Sequence, residues 1–293
     1  QAEDGIRDVE RSRGLGDVYK RQEIINLRGD SEIRSIDRWL ISVIQGRVKS
    51  VTEAIEALKT RTAAEVALFE VWNDIRWYLR RAESPNPKVL REVVDVWVRL
   101  LAPFTPYLCE ELWHLLGNDG FVSTARWPSY DEAKVDINAE EAESMIRGLM
   151  SDTASIIEVT KMKPKRICYY LASDWKWKSY LEMLKRSLPA KVEMGPMMKE
   201  LMKDPALRKE AKRVSAFVGK TLQEINAMPR DQKKRRLEAG KLDEKALLDE
   251  AKRFLEKEFN AEILVYDEDD PQRYDPKNRA NLAKPYRPAI YIE

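Results

Sequence analysis

Apolar positions fall at three- and four-residue steps through most of the first half of the chain. Ile33, Ile36, Leu40, Ile44, Val48, Val51, Ile55 and Leu58 form one stripe, as a helix with one buried face requires. Asp30 or Ser31 is suited to cap its start. Thr60-Arg61-Thr62 breaks the pattern, and a second helix is expected to about Arg81, with Ala64, Ala67, Leu68, Val71, Trp72, Ile75 and Leu79 inward. Ser84-Pro85-Asn86-Pro87 reads as a turn. The third helix, 89–101, is apolar around much of its surface, which predicts a central position. Pro103 and Pro106 each remove a backbone donor and bias the preceding residue away from helix, so the chain turns a corner there. The fourth helix carries Leu108, Leu112 and Leu115 on one side, with Trp113 and Leu116 beside them, and Gly117 as its expected C-cap. Four stripes with short connections predict an antiparallel bundle. A loop at 122–135 holds Trp127-Pro128. A fifth helix, 139–162, has Met145, Ile146, Leu149, Ile156 and Ile157 inward and stops at Lys163-Pro164.

After that stop the texture changes. RICYYLA at 166–172, AEILVY at 261–266 and PAIYI at 288–292 are short β-rich runs. Helical patterns at 175–188, 197–203, 207–225 and 244–259 separate the first two. Strands alternating with helices predict a small α/β unit with an at least partly parallel sheet. The predicted fold is therefore mainly α: an antiparallel bundle over 23–162, then a small α/β domain over 163–293.

Composition changes this picture in one respect. Charged residues make up 35% of the chain, and the formal net charge is only +2. The near-neutrality conceals a split. Residues 23–159 carry 16 Lys and Arg against 23 Asp and Glu, a balance of −7; residues 160–293 carry 31 against 22, a balance of +9. The positive C-terminal half suits a polyanionic partner, or is simply a Lys-rich solvated surface. No apolar run approaches a transmembrane span. Cys109 and Cys168, the only cysteines, read as small core residues in a reducing cytoplasm.

Catalytic chemistry is sparse. The single histidine, His114, sits on a bundle helix and reads as structural. One histidine and two distant cysteines give no zinc spacing, and no Gly-rich phosphate loop occurs. Asp267-Glu268-Asp269-Asp270 lacks the spacing of a calcium loop and reads as a solvated turn. Lys161-Met162-Lys163-Pro164-Lys165 reads as a basic hinge between domains. The densest RNA candidate is Arg230 with Lys233, Lys234, Arg235 and Arg236, five cations in seven residues between helices; such a tract neutralises several phosphates, or is a charged turn in solvent. Arg76 and Arg80 lie one turn apart on the second helix and share a face, for phosphate or for a neighbouring carboxylate. Trp175-Lys176-Trp177-Lys178 mixes aromatics and cations as nucleic-acid surfaces do, but packing is the favoured reading.

LAPFTPYLCEELWHLLG at 101–117 closely resembles the anticodon-binding helical domain of class I aminoacyl-tRNA synthetases. Asp37-Arg38-Trp39-Leu40, Arg61-Thr62-Ala63, the stretch 73–81, Trp127-Pro128, the 174–178 run and the ending YRPAIYIE extend the likeness from Glu23 to Glu293. The proline corner alone also fits isoleucyl, valyl or methionyl relatives; the Trp-Lys-Trp run and the PAIYIE ending favour the C-terminal part of an archaeal-type leucyl-tRNA synthetase. The resemblance implies a cytoplasmic parent that leucylates tRNA(Leu) with ATP and magnesium, and places catalysis and editing upstream, leaving no catalytic residue, metal or cofactor here. It implies that the bundle docks on the tRNA body, and that the small domain reaches the long variable arm with the chain end, Ile292 and Glu293. A stand-alone helical scaffold or RNA-binding protein is the rival. The 161–165 run is not the Lys-Met-Ser-Lys-Ser loop of these enzymes, since it lacks both serines and follows the bundle.

Residues 1–22 resemble translated sequencing adapter. Asp17-Val18-Tyr19-Lys20-Arg21-Gln22 is the translation of GATGTGTATAAGAGACAG, and 1–8 that of CAAGCAGAAGACGGCATACGAGAT. This segment is expected to be an appended tail outside the fold.

Overall fold

The computed structural model describes residues 32–293. The tail at 1–22 and the cap expected at Asp30 or Ser31 lie outside the described residues. The protein is mainly helical with a small three-stranded sheet, and it divides into two compact units between Asp136 and Ile137.

The first unit contains α1 (Ser35–Glu56), α2 (Thr60–Glu65), α3 (Val71–Arg81), α4 (Pro87–Leu101) and α5 (Pro106–Leu115). The α1 stripe is buried from Ile36 through Leu40, Ile44 and Val48 to Val51, whereas Ile33 and Leu58, expected in it, are exposed beyond the helix. Helix α2 starts at Thr60, so the expected break at 60–62 is its first turn. A π turn, Val66–Glu70, joins α2 to α3 and adds a residue to the ladder. It rotates the inward face. Ala63, Val66, Val71, Ile75 and Tyr78 are buried, while Leu68, Trp72 and Leu79 are half-buried. The carbonyl of Ala67 within that turn accepts from Trp97 Nε1 at 2.8 Å, and Trp97 stacks on Trp72 at 5.6 Å.

Polar groups fix the helix starts. Tyr78 donates its hydroxyl to the buried Asp37 carboxylate at 2.5 Å and accepts from the Asn86 amide at 2.7 Å. Asn86 Oδ1 in turn accepts from the amides of Lys88 and Val89, capping α4, with Pro87 at its first position. Helix α5 buries Cys109, Leu112 and Leu116 and exposes Leu108 and Leu115. Both sets satisfy helical spacing, and the one containing the small cysteine faces inward. Gly117 has φ +75°, as a left-handed residue after a helix requires.

The second unit contains α6 (Ile137–Thr160), β1 (Arg166–Leu171), α7 (Asp174–Ser187), α8 (Met194–Leu201), α9 (Pro205–Lys209), α10 (Ala211–Ala227), α11 (Arg230–Ala239), α12 (Glu244–Phe259), β2 (Glu262–Asp267) and β3 (Ala289–Ile292). The sheet order is β2-β1-β3. Strand β2 is parallel to β1, and β3 is antiparallel to it, with Ile167 opposite Ile292. Strand β1 is buried along its length from Ile167 to Leu171.

Three expectations are corrected here. The fifth helix groups with the second unit, not with the bundle to residue 162, because Ala142 belongs to the core built on α7 and α10. The 161–165 run is no domain hinge. It leads into the sheet, where the Lys165 amide donates to the Glu293 carbonyl and its own carbonyl accepts from Glu262. The basic tract is a helix, α11, not an inter-helix segment.

Candidate RNA-binding surfaces

A cation serves phosphate only if its charge is not already spent. In α11 three of the five expected contacts are spent. Lys233 is 5% exposed, and its ammonium donates to the Ser187 carbonyl at 3.1 Å; burial lowers its pKa. Arg235 pairs with Glu140 at 2.6 Å and Glu141 at 3.1 Å, both on α6. Arg236 lies over the Tyr286 ring at 4.6 Å, donates to Tyr180, and stands 3.7 Å from Glu141. Arg230 and Lys234 alone of the tract are exposed, one turn apart. Helix α6 explains the change: residues 137–159 hold one cation against five carboxylates, so the balance of the second unit is +5 rather than +9.

On α3, Arg76 and Arg80 are both exposed and share a face, as expected. The Arg80 guanidinium rests 5.8 Å from the Trp77 ring centre.

The chain end is integrated rather than free. Ile292 is buried at 6% exposure. Glu293 pairs with Arg166 at 2.8 Å and accepts from the Tyr274 hydroxyl at 2.8 Å. Its backbone exchanges hydrogen bonds with Arg166 in both directions. Since Arg166 and Glu293 form a hydrogen-bonded pair, the antiparallel alternation turns the amides and carbonyls of Ile290 and Ile292 outward along the free edge of β3. The usable feature of the terminus is thus its backbone edge, not the Ile292 side chain.

The Trp175–Lys178 run packs. Trp177 is buried, and Trp175 meets Phe217 edge-on at 5.7 Å. Lys176 and Glu268 form an ion pair at 2.8 Å with both side chains 4% exposed. The Lys176 ammonium spends its other protons on the carbonyls of Asn281 (3.0 Å) and Ala283 (2.7 Å), and burial lowers its pKa. Glu268 therefore leaves the solvated turn assigned to it. Periodicity gave no sign of this pair, because its halves are distant in sequence and each looks like a surface charge.

His114 is exposed on α5. Both cysteines are buried and unbridged, and burial lifts the Cys168 thiol to about 11. Among the described residues, no group of three or more His, Cys, Asp and Glu is arranged to hold a metal ion, and no helix is long and apolar enough to cross a membrane.

Residues 37–169 match the family model of the anticodon-binding domain of tRNA ligase. The chain is 39% identical over 263 residues to a leucine–tRNA ligase of Methanococcoides burtonii, covering 89% of this chain and 27% of that protein. It is 38% identical to the leucine–tRNA ligase of Methanosarcina barkeri, over 99% of this chain and 30% of that one. With the enzyme of Pyrococcus horikoshii it shares 38% identity over 98% and 28%. The chain spans less than a third of the length of these curated relatives. Residues 37–169 are thus similar to the anticodon-binding domain of tRNA ligases, within a sequence that matches part of archaeal leucine–tRNA ligases along nearly all of its length.

Proposed function

We propose that this chain is the tRNA-binding part of a leucine–tRNA ligase that acts in the cytoplasm. The bundle docks on the body of tRNA(Leu), and the small domain reaches the long variable arm. Leucylation itself, with ATP and magnesium, belongs to catalytic and editing domains of the parent. The observation that carries this reading is 38% identity to such ligases over 98–99% of the chain. The phosphate contacts fall to Arg76, Arg80, Arg230 and Lys234, which are exposed. The outward backbone of Ile290 and Ile292 supplies donors and acceptors to splayed bases, the usual mode for unpaired RNA.

The test is filter binding of the chain to a long-arm and a short-arm tRNA across a salt series. Preference for the long arm supports the reading; equal affinity for both overturns the variable-arm assignment. Removing Ile292 and Glu293 is expected to reduce that preference by about 1–3 kcal/mol, the scale of a base contact. The melting temperature is read alongside, since Ile292 is buried.

We read residues 1–22 as an appended tail, on the match of two adapter sequences in frame. The alignments that cover 98–99% of the chain run through this segment, so the DNA upstream of Glu23 is the observation that decides.

A further inference from the structure

A cleft of about 210 Å³ opens in the second unit, lined by no residue of β3 or α11. One wall is a single face of α10: Arg213, Ala216, Phe217, Lys220 and Thr221 recur at three- and four-residue steps. Trp175 at the start of α7 faces it, and residues 281–284 close the third side. The Lys176–Glu268 pair forms part of the lining.

Three features point to a ligand. Two buried polar atoms in the lining residues, Trp175 Nε1 and Thr221 Oγ1, have no hydrogen-bond partner, and Thr221 is 1% exposed. Such atoms cost free energy unless something completes them. The lining carries Lys176, Arg213, Lys220 and Lys284 against Glu268 alone, a balance of +3. Arg213 is paired to Glu268 of the lining and to Asp269, and Lys284 to Glu224, whereas Lys220 is exposed and has no partner among the described residues. The volume fixes the size of the guest. It exceeds the roughly 150 Å³ that admits a benzene ring, and it falls below the roughly 300 Å³ at which drug-sized pockets begin.

We propose that this cleft binds a single nucleotide: one base ring inside, its phosphate at the rim on Lys220. The ring lies against Trp175 and Phe217, displacing the Arg213 guanidinium, which now stands 5.1 Å from the indole centre. Thr221 Oγ1 completes its hydrogen bond on the base edge. The shared chemistry is a base plus a phosphate. Its source is either one splayed nucleotide of a bound RNA or a free mononucleotide; the RNA form rests on the tRNA reading above.

The test is titration of the full chain, followed by NMR, with the four ribonucleoside monophosphates, with ribose 5-phosphate and with inorganic phosphate. At least one mononucleotide is expected to bind in the millimolar range or tighter, and more tightly than either sugar phosphate or phosphate. Thr221→Val is expected to weaken it about fivefold, the scale of one hydrogen bond, without lowering the melting temperature, because the hydroxyl has no partner to lose. Ala216→Trp, filling the mouth from an exposed position, is expected to abolish it. No binding by any mononucleotide, binding of phosphate as tight as of nucleotide, or binding unchanged in both variants overturns the proposal. Filter binding of tRNA to Ala216→Trp then separates the sources. A weakened complex assigns the cleft to RNA, and an unchanged one to a free nucleotide. If mononucleotides bind but tRNA does not bind the parent chain, the tRNA reading fails and the cleft stands.

Discussion

Helix α11 and the α10 cleft carry comparable positive charge, most of it paired within the protein, and assemble it in opposite ways. In α11 the cations are contiguous in sequence, yet Lys233, Arg235 and Arg236 are consumed by Ser187, Glu140, Glu141, Tyr180 and Tyr286. Around the cleft, Lys176, Arg213, Lys220 and Lys284 are scattered over more than a hundred residues and converge only in the fold. A dense basic run therefore marks a helix that binds its own protein, while the candidate ligand site is assembled from isolated charges. What decides is the chemistry of the facing element. Helix α6 is acidic and meets α11. Opposite α10 stand one aromatic ring, Trp175, and one carboxylate, Glu268, and Lys220 is left unpaired.

The strongest way to break this contrast lies at the floor of the cleft. Lys176→Ala removes the nearer of the two cations of the buried Glu268, leaving Arg213 at 3.8 Å, and about 3 kcal/mol of unfolding free energy is expected to be lost in urea titration. Lys176→Met with Glu268→Leu is expected to lose far less, since no charge remains buried alone. If the single variant is as stable as the parent, the pair is not structural.

The next effect is in pH. Glu244, at the start of α12, accepts from the Tyr286 amide at 2.8 Å, and burial lifts its pKa from 4.5 to about 7. A carboxyl raised on folding stabilises the fold in its protonated form. That contribution is complete below pH 4.5 and is lost as pH rises through 7. Stability is expected to fall by on the order of 3 kcal/mol across that window. Glu244→Gln is expected to flatten the profile, as urea midpoints from pH 4 to 8 would reveal. A parent profile that is already flat contradicts the assignment.

How much of this was legible in the sequence follows from the same physics. Helix positions were, because burial of one face imprints a period. The π turn at Val66–Glu70 was not, because it breaks that period, and the inward set of α2 and α3 shifted with it. Three strands were legible as β-rich runs, and their order was not. The shared face of Arg76 and Arg80 follows from their four-residue spacing, and both are exposed. The α11 tract was misjudged, because its partners Glu140 and Glu141 sit about ninety residues earlier in sequence. Thr221 left no trace, and Trp175 stood out only within the Trp-Lys-Trp run, since an unpartnered atom is a property of packing alone.

Arg236→Ala sharpens the contrast at a smaller scale. It is expected to cost about 2 kcal/mol of stability through the lost Tyr286 and Tyr180 contacts, with its side chain only 20% exposed. Arg230→Ala with Lys234→Ala is expected to leave stability within about 0.5 kcal/mol, as exposed substitutions do. The smallest effect belongs to the segment 1–22: its deletion is expected to leave the melting temperature and tRNA affinity unchanged. A large drop in either would contradict the appended-tail reading.

The most direct test is the slope of log affinity for tRNA against log salt, compared between the parent and the Arg235→Gln, Arg236→Gln double variant. The same slope is expected in both, because those two charges are spent within the protein. A slope shallower by roughly 1.5, the loss of two phosphate contacts, would contradict it.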